Sequence, residues 1–327
     1  MSYIVFTIEG GIGKCIMATA VCQAIAEQRP DKKLVVVSGY PDVFINNPHV
    51  SRALAFGSTQ YFYETYIKDK DTEILVHNPY SVTDYIYQRK NLVEIWCNLF
   101  GLEYQAKYKP QIFLTQREVD FFAKNFQTDK PFFAIQTNGG ADNQQLKYSW
   151  ARDIPYNVAD AVVQHFKDKY RIIHIRRQDQ LELRDTQTLT ASFREIVVFM
   201  SMTSKRLLMD SFAQHIAGSL NLPSTVCWIT NSPIVFGYEI NNNILANPYT
   251  KQPELRNAFL QEFNIGGDLV EFPYYSETEI FDIDKIIASL EDVAPTQIVP
   301  LTQVVEQLQD VEATAENNAE LVEFTHE

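Results

Sequence analysis

The chain has 327 residues, more than one hydrophobic core usually organises, and 46% of them are hydrophobic, enough for two domains. Its net charge of -13 is concentrated at one end: residues 286–327 hold nine Asp or Glu and no Lys or Arg, leaving 32 acidic against 28 basic residues for the rest. That mildly acidic body has no basic stripe to support nucleic-acid binding, and no apolar run approaches the ~20 residues of a membrane helix.

In chain order, strand-like runs are expected at 3–8, 34–38, 74–77, 132–137, 171–175, 195–198 and 225–229. Helical runs are expected at 14–28, 81–100, 116–125, 156–169 and 282–290. This alternation predicts an α/β protein with parallel sheets and crossover helices. The polar stretch QTDK at 127–130, followed by Pro131, marks a boundary between an N-terminal Rossmann-like domain (1–126) and a second one (127–293), whose last helix is expected to return toward the first half. Residues 294–327 are polar and Gln/Glu-rich and read as an acidic mobile tail, in which Val304, Val305, Leu308 and Val311 could dock a protein partner. The start, MSYIVFTIEGG, reads as a strand entering a glycine turn rather than a basic leader, so a cytoplasmic location is expected. Cys15, Cys22, Cys97 and Cys227 stand in apolar contexts without metal-ligand spacing, and no His/Asp cluster has such spacing either. They read as reduced core residues, and neither a metal nor a resident cofactor is expected.

Two motifs carry chemistry. After the first strand come Glu9, Gly10, Gly11, Ile12, Gly13 and Lys14, a loop whose glycines let the backbone turn tightly and bring a ligand near a helix start. An NTPase phosphate loop is one reading of EGGIGKC, but Cys15 stands where a hydroxyl would hold Mg²⁺, and neither LVVVSG nor EILVHN ends in the aspartate such a site needs. The second motif is the stretch 209–238, MDSFAQHIAGSLNLPSTVCWITNSPIVFGY. A strand hands over directly to a helix at Asp210 and Ser211, Asn221 and Pro223 end that helix, and TVCWI is a second buried strand. In such a unit the helix N-terminus lies beyond the carboxyl end of the sheet, where phosphates bind, and His215 shares a face with Ser211. Asp210 and Ser211 read equally as a simple helix cap, and His215 as a structural histidine.

The second motif resembles the donor-binding motif of the glycosyltransferase family 9 proteins, the ADP-heptose:lipopolysaccharide heptosyltransferases. In that family Asp-Ser/Thr-Gly-x-x-His is followed by an Ala-rich helix, a Pro-led strand and a later Phe-Gly. Here Asp210, Ser211, His215, Ala217, Pro223, Phe236 and Gly237 match, while Phe212 replaces the glycine. Residues 13–25, Pro30-Asp31 and Asn47-Pro48-His49-Val50 are similar to the family's acceptor-side pattern, with Lys14 where its catalytic aspartate falls. Lys147 and Trp150 resemble its Lys-x-Trp, with one residue more between them.

The resemblance implies a GT-B fold, with two Rossmann-like domains whose parallel sheets face each other across a cleft. It also implies an enzyme that moves a sugar from a nucleotide-diphosphate sugar to an acceptor hydroxyl on a glycan or lipopolysaccharide, with inversion and without a metal. Donor-binding residues would be Thr137, Gly139, Lys147, Arg176, Asp210, Ser211 and His215; Gly10, Gly11 and Gly13 would form the acceptor-side loop. A lysine ammonium has no acceptor for a proton, so Glu9 is the expected base, with His77 as a second candidate and Lys14 as a charge partner for phosphate or for an acidic acceptor; Glu9 reads equally as a charge that stabilises the helix start. Arg176 and Arg177 could clamp phosphate at a strand end or pair with Asp179 and Glu182. Tyr61, Phe62, Tyr63, Tyr66, Tyr80, Tyr85 and Tyr87 could stack on sugar rings or bases, or simply pack. A phosphate-loop NTPase, a non-catalytic nucleotide-sugar-binding protein and a transferase acting on modified nucleobases remain as alternatives.

Overall fold

The computed structural model describes residues 2–139, 151–251 and 272–292. Lys147, Trp150 and the acidic tail lie outside the described residues. Two apolar strands without alternation, β1 (Ser2–Ile8) and β2 (Lys33–Ser38), form the centre of a first sheet because both their faces are covered. With β3 (Arg52–Ala55) and β4 (Asp71–Leu75) they make a parallel sheet of order β3-β2-β1-β4. Strand β4 begins and ends earlier than the 74–77 expected, because its register pairs Asp71 with Ser2 and Leu75 with Phe6 and so takes in polar residues at the edge. Helix α1 (Ile12–Gln28) is buried through most of its length, which is why it lacks a clean polar stripe.

The single helix expected at 81–100 is interrupted. A short α2 (Thr83–Ile86) stops at a turn in which Gln88 takes a left-handed φ of 51°, and Asn91 then caps α3 (Leu92–Leu99) by accepting the Val93 N–H at 2.9 Å. Helix α4 (Gln116–Ala123) starts from a capping box between Thr115 and Glu118.

The second sheet is built from β5 (Phe132–Ile135), β6 (Arg171–Ile175), β7 (Gln187–Leu189), β8 (Thr203–Met209), β9 (Thr225–Trp228) and β10 (Asn242–Leu245). All are parallel, in the order β10-β9-β8-β5-β6-β7. Between them run α5 (Tyr156–Phe166), α6 (Phe193–Ser201), α7 (Phe212–Ser219) and α8 (Pro233–Phe236). The strand expected at 195–198 lies inside α6: Ser192 accepts the Glu195 N–H, and the buried run continues for two helical turns. Local β-branched preference yields there to the cap and to burial. Among the described residues the last helix, α9 (Ile283–Asp292), packs on the second sheet instead of returning to the first. Its Ile286 and Leu290 are fully buried beside Phe133, Val162 and Cys227, and each such side chain contributes roughly 1.5–3 kcal/mol by leaving water. The Leu290 carbonyl also accepts a hydrogen bond from buried Lys205 of β8.

Chain order decides where ligands can sit. The first sheet reverses its winding between β1 and β4, the second between β5 and β8, and open α/β sheets hold ligands beyond the carboxyl ends of the strands at such points. Gly13, at the start of α1, and Phe212, at the start of α7, are in contact, so the two sheets present those ends to one another. Arg194 of α6 ties the same two layers together elsewhere, donating to Glu118 and to the carbonyls of Asp42 and Phe113.

Candidate functional site

On the first sheet the site begins with a turn that only glycine adopts readily: Gly10 has φ +108°, and a Cβ there would stand 3.1 Å from Lys14 Cδ. Gly11 then starts α1 with no side-chain cap. Lys14, 8% exposed, donates from Nζ to Asn78 Oδ1 at 3.0 Å and lies over the rings of Tyr80 (4.4 Å) and Trp96 (5.5 Å). Asn78 also accepts the Tyr80 N–H, so the loop after β4 holds the ammonium of the helix after β1. Glu9 follows β1 directly and His77 follows β4 by two residues; both are exposed, and the pairing of Phe6 with Leu75 sets their loops side by side. Cys15 occupies the position a phosphate-loop hydroxyl would need, with its thiol pushed up to about 12 by burial.

On the second sheet the corresponding groups follow β5 and β8. Thr137 hydroxyl donates to Asn138 Oδ1 (2.7 Å) and accepts from His174 Nε2 (2.9 Å), while Asp153 receives the Asn138 side chain (2.8 Å) and the Gly139 N–H (3.0 Å). The loop after β5 is therefore locked by Asp153, a residue not singled out in the sequence. A cavity of ≈ 180 Å³ opens beside it, lined among others by Thr137, Asn138, Tyr156, Leu181 and Glu277. A Cβ on Gly139 would meet Arg152 and Met209.

Two expected roles are corrected here. Asp210 and Ser211 do not cap α7 with their side chains: Asp210 accepts a hydrogen bond from Asn231 and faces Arg152 Nε at 3.9 Å, and Ser211 makes no side-chain bond to the first turn. The α7 N-terminus, like that of α1, is thus left without a side-chain cap or an acidic residue in its first turn. Arg176 is not posed as an anion clamp either. It donates to Thr188 Oγ1 (2.9 Å), the Gln180 carbonyl (2.8 Å) and Glu182 (3.2 Å), while Arg177 pairs with Asp179 at 3.1 Å, so both organise their own loop.

His215 is buried, and its Nδ1 meets Tyr238 hydroxyl at 2.9 Å. Burial drives its pKa down to about 4, against the attraction of Asp210, so at neutral pH it carries no charge for an anion. Its ring lies on Gly13, where a Cβ would fall 2.8 Å from Cδ2. His174 is also held near 4, by burial and then by Arg176. In the unfolded chain both histidines return to the ordinary value of 6.5 and take up protons first as the pH falls. Stability is therefore full above about pH 7 and declines between pH 6.5 and 4, by roughly 3 kcal/mol for each histidine. Urea unfolding across that range should show the decline, and His215→Asn should remove about half of the slope.

The aromatic residues divide. Tyr66 packs edge-on to Tyr3 at 5.3 Å; Tyr80 and Tyr85 stack at 4.6 Å and meet Phe236 of α8 at 6.1 and 6.0 Å, joining the two layers beside Lys14. Tyr61, Tyr63 and Tyr87 stand in solvent. Asn231, Arg152, Asp153 and Tyr238 escaped the sequence reading; the Thr-Asn-Ser-Pro that follows TVCWI was the one local signal, since it starts a helix soon after a strand. Among the described residues no group of three or more His, Cys, Asp or Glu is placed to hold a metal ion, and no helix is long and apolar enough to cross a membrane.

Neither a protein-family model nor a curated protein matches the sequence. Solved structures do match it in fold. "Glycosyl transferase family 9" from Veillonella parvula DSM 2008 superposes with a TM-score of 0.60 and 12% identity, covering 89% of this chain and 96% of its own. ADP-heptose LPS heptosyltransferase II of E. coli gives 0.57 and 12% identity, covering 95% and 99%. E. coli heptosyltransferase WaaC with ADP-2-deoxy-2-fluoro heptose gives 0.50 and 11% identity, covering 76% and 94%. At these identities the likeness is one of architecture: the chain has the two-domain GT-B fold of family 9 glycosyltransferases and ADP-heptose heptosyltransferases.

Proposed function

We propose that the chain is a glycosyltransferase that takes a sugar from a nucleotide-diphosphate donor and passes it to a hydroxyl of a glycan or lipopolysaccharide acceptor, without a metal and with inversion at the anomeric carbon. The observation that carries this reading is the meeting of two uncapped helix N-termini, those of α1 and α7, at the carboxyl ends of both sheets, with the Lys14 ammonium beside them. Free N–H groups and the positive ends of two helix dipoles favour a diphosphate, and they favour it more as charge builds on it during departure. Lys14 supplies a full positive charge for the same purpose. Asp210, held by Asn231 and Arg152, is suited to accept hydrogen bonds from donor hydroxyls rather than to meet phosphate. Thr137 and Gly139, on the loop after the neighbouring strand β5, lie on the same side of the cleft as Asp210, and the ≈ 180 Å³ cavity at Tyr156 is offered for part of the nucleoside.

The acceptor hydroxyl needs a base. Glu9 is proposed for that role because it is an exposed carboxylate at the mouth of the same loop, with His77 on the neighbouring loop as the alternative. The compartment is proposed to be cytoplasmic, in keeping with four buried, unpaired cysteines.

ADP-heptose is the first donor to test, since one of the similar structures holds its fluorinated analogue. A panel of nucleotide sugars should include one that raises the melting temperature by several degrees at saturating concentration, because a ligand of the native state stabilises it by mass action. With that donor, transfer should survive excess EDTA, and Glu9→Gln should lower kcat by about 10²- to 10⁴-fold with little change in donor affinity. Unchanged turnover in Glu9→Gln moves the base elsewhere. ATP hydrolysis independent of any sugar would favour an NTPase, and binding without turnover a scaffold.

A further inference from the structure

The first sheet has a second face, opposite α1, where Tyr3, Val5, Val35 and Val37 are covered by Tyr66 and by the partly buried Phe62 and Ile67. At its β3 edge this cover leaves a cavity of ≈ 380 Å³, lined by Arg52, Gln60, Phe62, Thr65, Tyr66 and neighbouring residues of 54–59. Its size is that of a small-ligand site. Three further observations distinguish it. Residues Tyr63–Ile67 form a single π-helical turn, a rare geometry concentrated at functional positions. Tyr61, next to the lining residue Gln60, holds a left-handed φ of 56° with its side chain 75% exposed, a conformation that a bulky residue adopts only against its preference. The lining offers a guanidinium, an amide, three aliphatic hydroxyls and the Tyr66 phenol but no carboxylate, in a chain of net charge -13.

We propose that this cavity is a second saccharide site, which takes one acidic sugar residue, phosphorylated or carboxylated. Arg52 receives the acid group through the paired donors of its guanidinium. Gln60, Ser58, Thr59 and Thr65 exchange hydrogen bonds with sugar hydroxyls, and the rings of Phe62 and Tyr66 in the lining offer apolar surface to the sugar ring. The site lies across the sheet from Lys14 and does not depend on the cleft's being a transferase.

The test is titration of the full chain with glucose 1-phosphate, glucuronic acid, glucose and inorganic phosphate, followed by calorimetry or ligand-observed NMR. The two acidic sugars should bind and glucose should bind far more weakly. Arg52→Ala should weaken both acidic sugars about tenfold or more, as loss of a charge-assisted pair does. Leu54→Trp, which fills the cavity, should abolish binding. Acidic-sugar affinity that is indifferent to both Arg52→Ala and Leu54→Trp overturns the proposal and moves the binding to the cleft. Inorganic phosphate binding as tightly as glucose 1-phosphate also overturns it, because the sugar would then contribute nothing.

Discussion

Replacing Gly13 with alanine is expected to lower sugar transfer about 100-fold while leaving the fold intact, a loss in keeping with the misplacement of groups that must be aligned for reaction. The added Cβ would stand 2.8 Å from His215 Cδ2, 3.3 Å from Nε2 and 3.6 Å from the Phe212 Cα, so the starts of α1 and α7 must separate. Two effects on stability oppose each other. Alanine favours a helix over glycine by about 1 kcal/mol, whereas forcing an extra methyl into a packed contact costs about 1–3 kcal/mol. The net loss should therefore be small, and the melting temperature should fall by only a few degrees. A large loss of activity with a small loss of stability separates displacement of the site from unfolding. The partner substitution sharpens the test: in the His215→Ala background the same alanine at position 13 has room, so the two substitutions should be strongly non-additive. Additive losses in that double-mutant cycle would mean that the contact between the helix starts does not position the site.

Lys14→Met is expected to cost about 10²- to 10³-fold in kcat, the size of effect seen when one preorganised group that stabilises transition-state charge is removed. Methionine keeps an unbranched apolar stem against Tyr80 and Trp96, so the packing of residue 14 is retained while the ammonium over those rings is lost. Donor affinity, read from thermal stabilisation, should weaken less than turnover does, because charge on the diphosphate grows as the sugar leaves. Lys14→Arg is not a conservative alternative: a planar fork does not fit the point contact with Asn78 Oδ1. If Lys14→Met instead raises the donor concentration needed for half-saturation and leaves kcat unaltered, the ammonium serves ground-state binding alone.

Much of the fold was legible as pattern. Fully apolar β1 and β2, the glycine turn after β1 and the strand-helix-strand unit around Asp210 all announce themselves, because central parallel strands and helix starts leave local marks. Asn221 is an instance: it takes the left-handed φ of 54° expected after a helix end. Strands β3, β7 and β10 were not legible, since edge strands of three or four residues need no apolar run and are defined by their neighbours' hydrogen bonds. The segment now in α6 was misread because a run rich in isoleucine and valine suits a buried strand as well as a buried helix.

The candidate site divides along the same line. Sequence alone determined which residue types stand at the strand ends, namely the glycines and Lys14 after β1, Thr137 and Gly139 after β5, and Asp210 and Ser211 after β8, since a strand followed at once by a helix start is a local feature. Only the tertiary structure decided what each of them does there. Asp210 turns to Asn231 and Arg152 instead of capping a helix, His215 loses its charge through burial, Arg176 is consumed by its own loop, and Gly13 is required by a ring 202 residues further along the chain. Those outcomes depend on distances between distant segments and on exclusion of water, and neither quantity is written in local residue spacing.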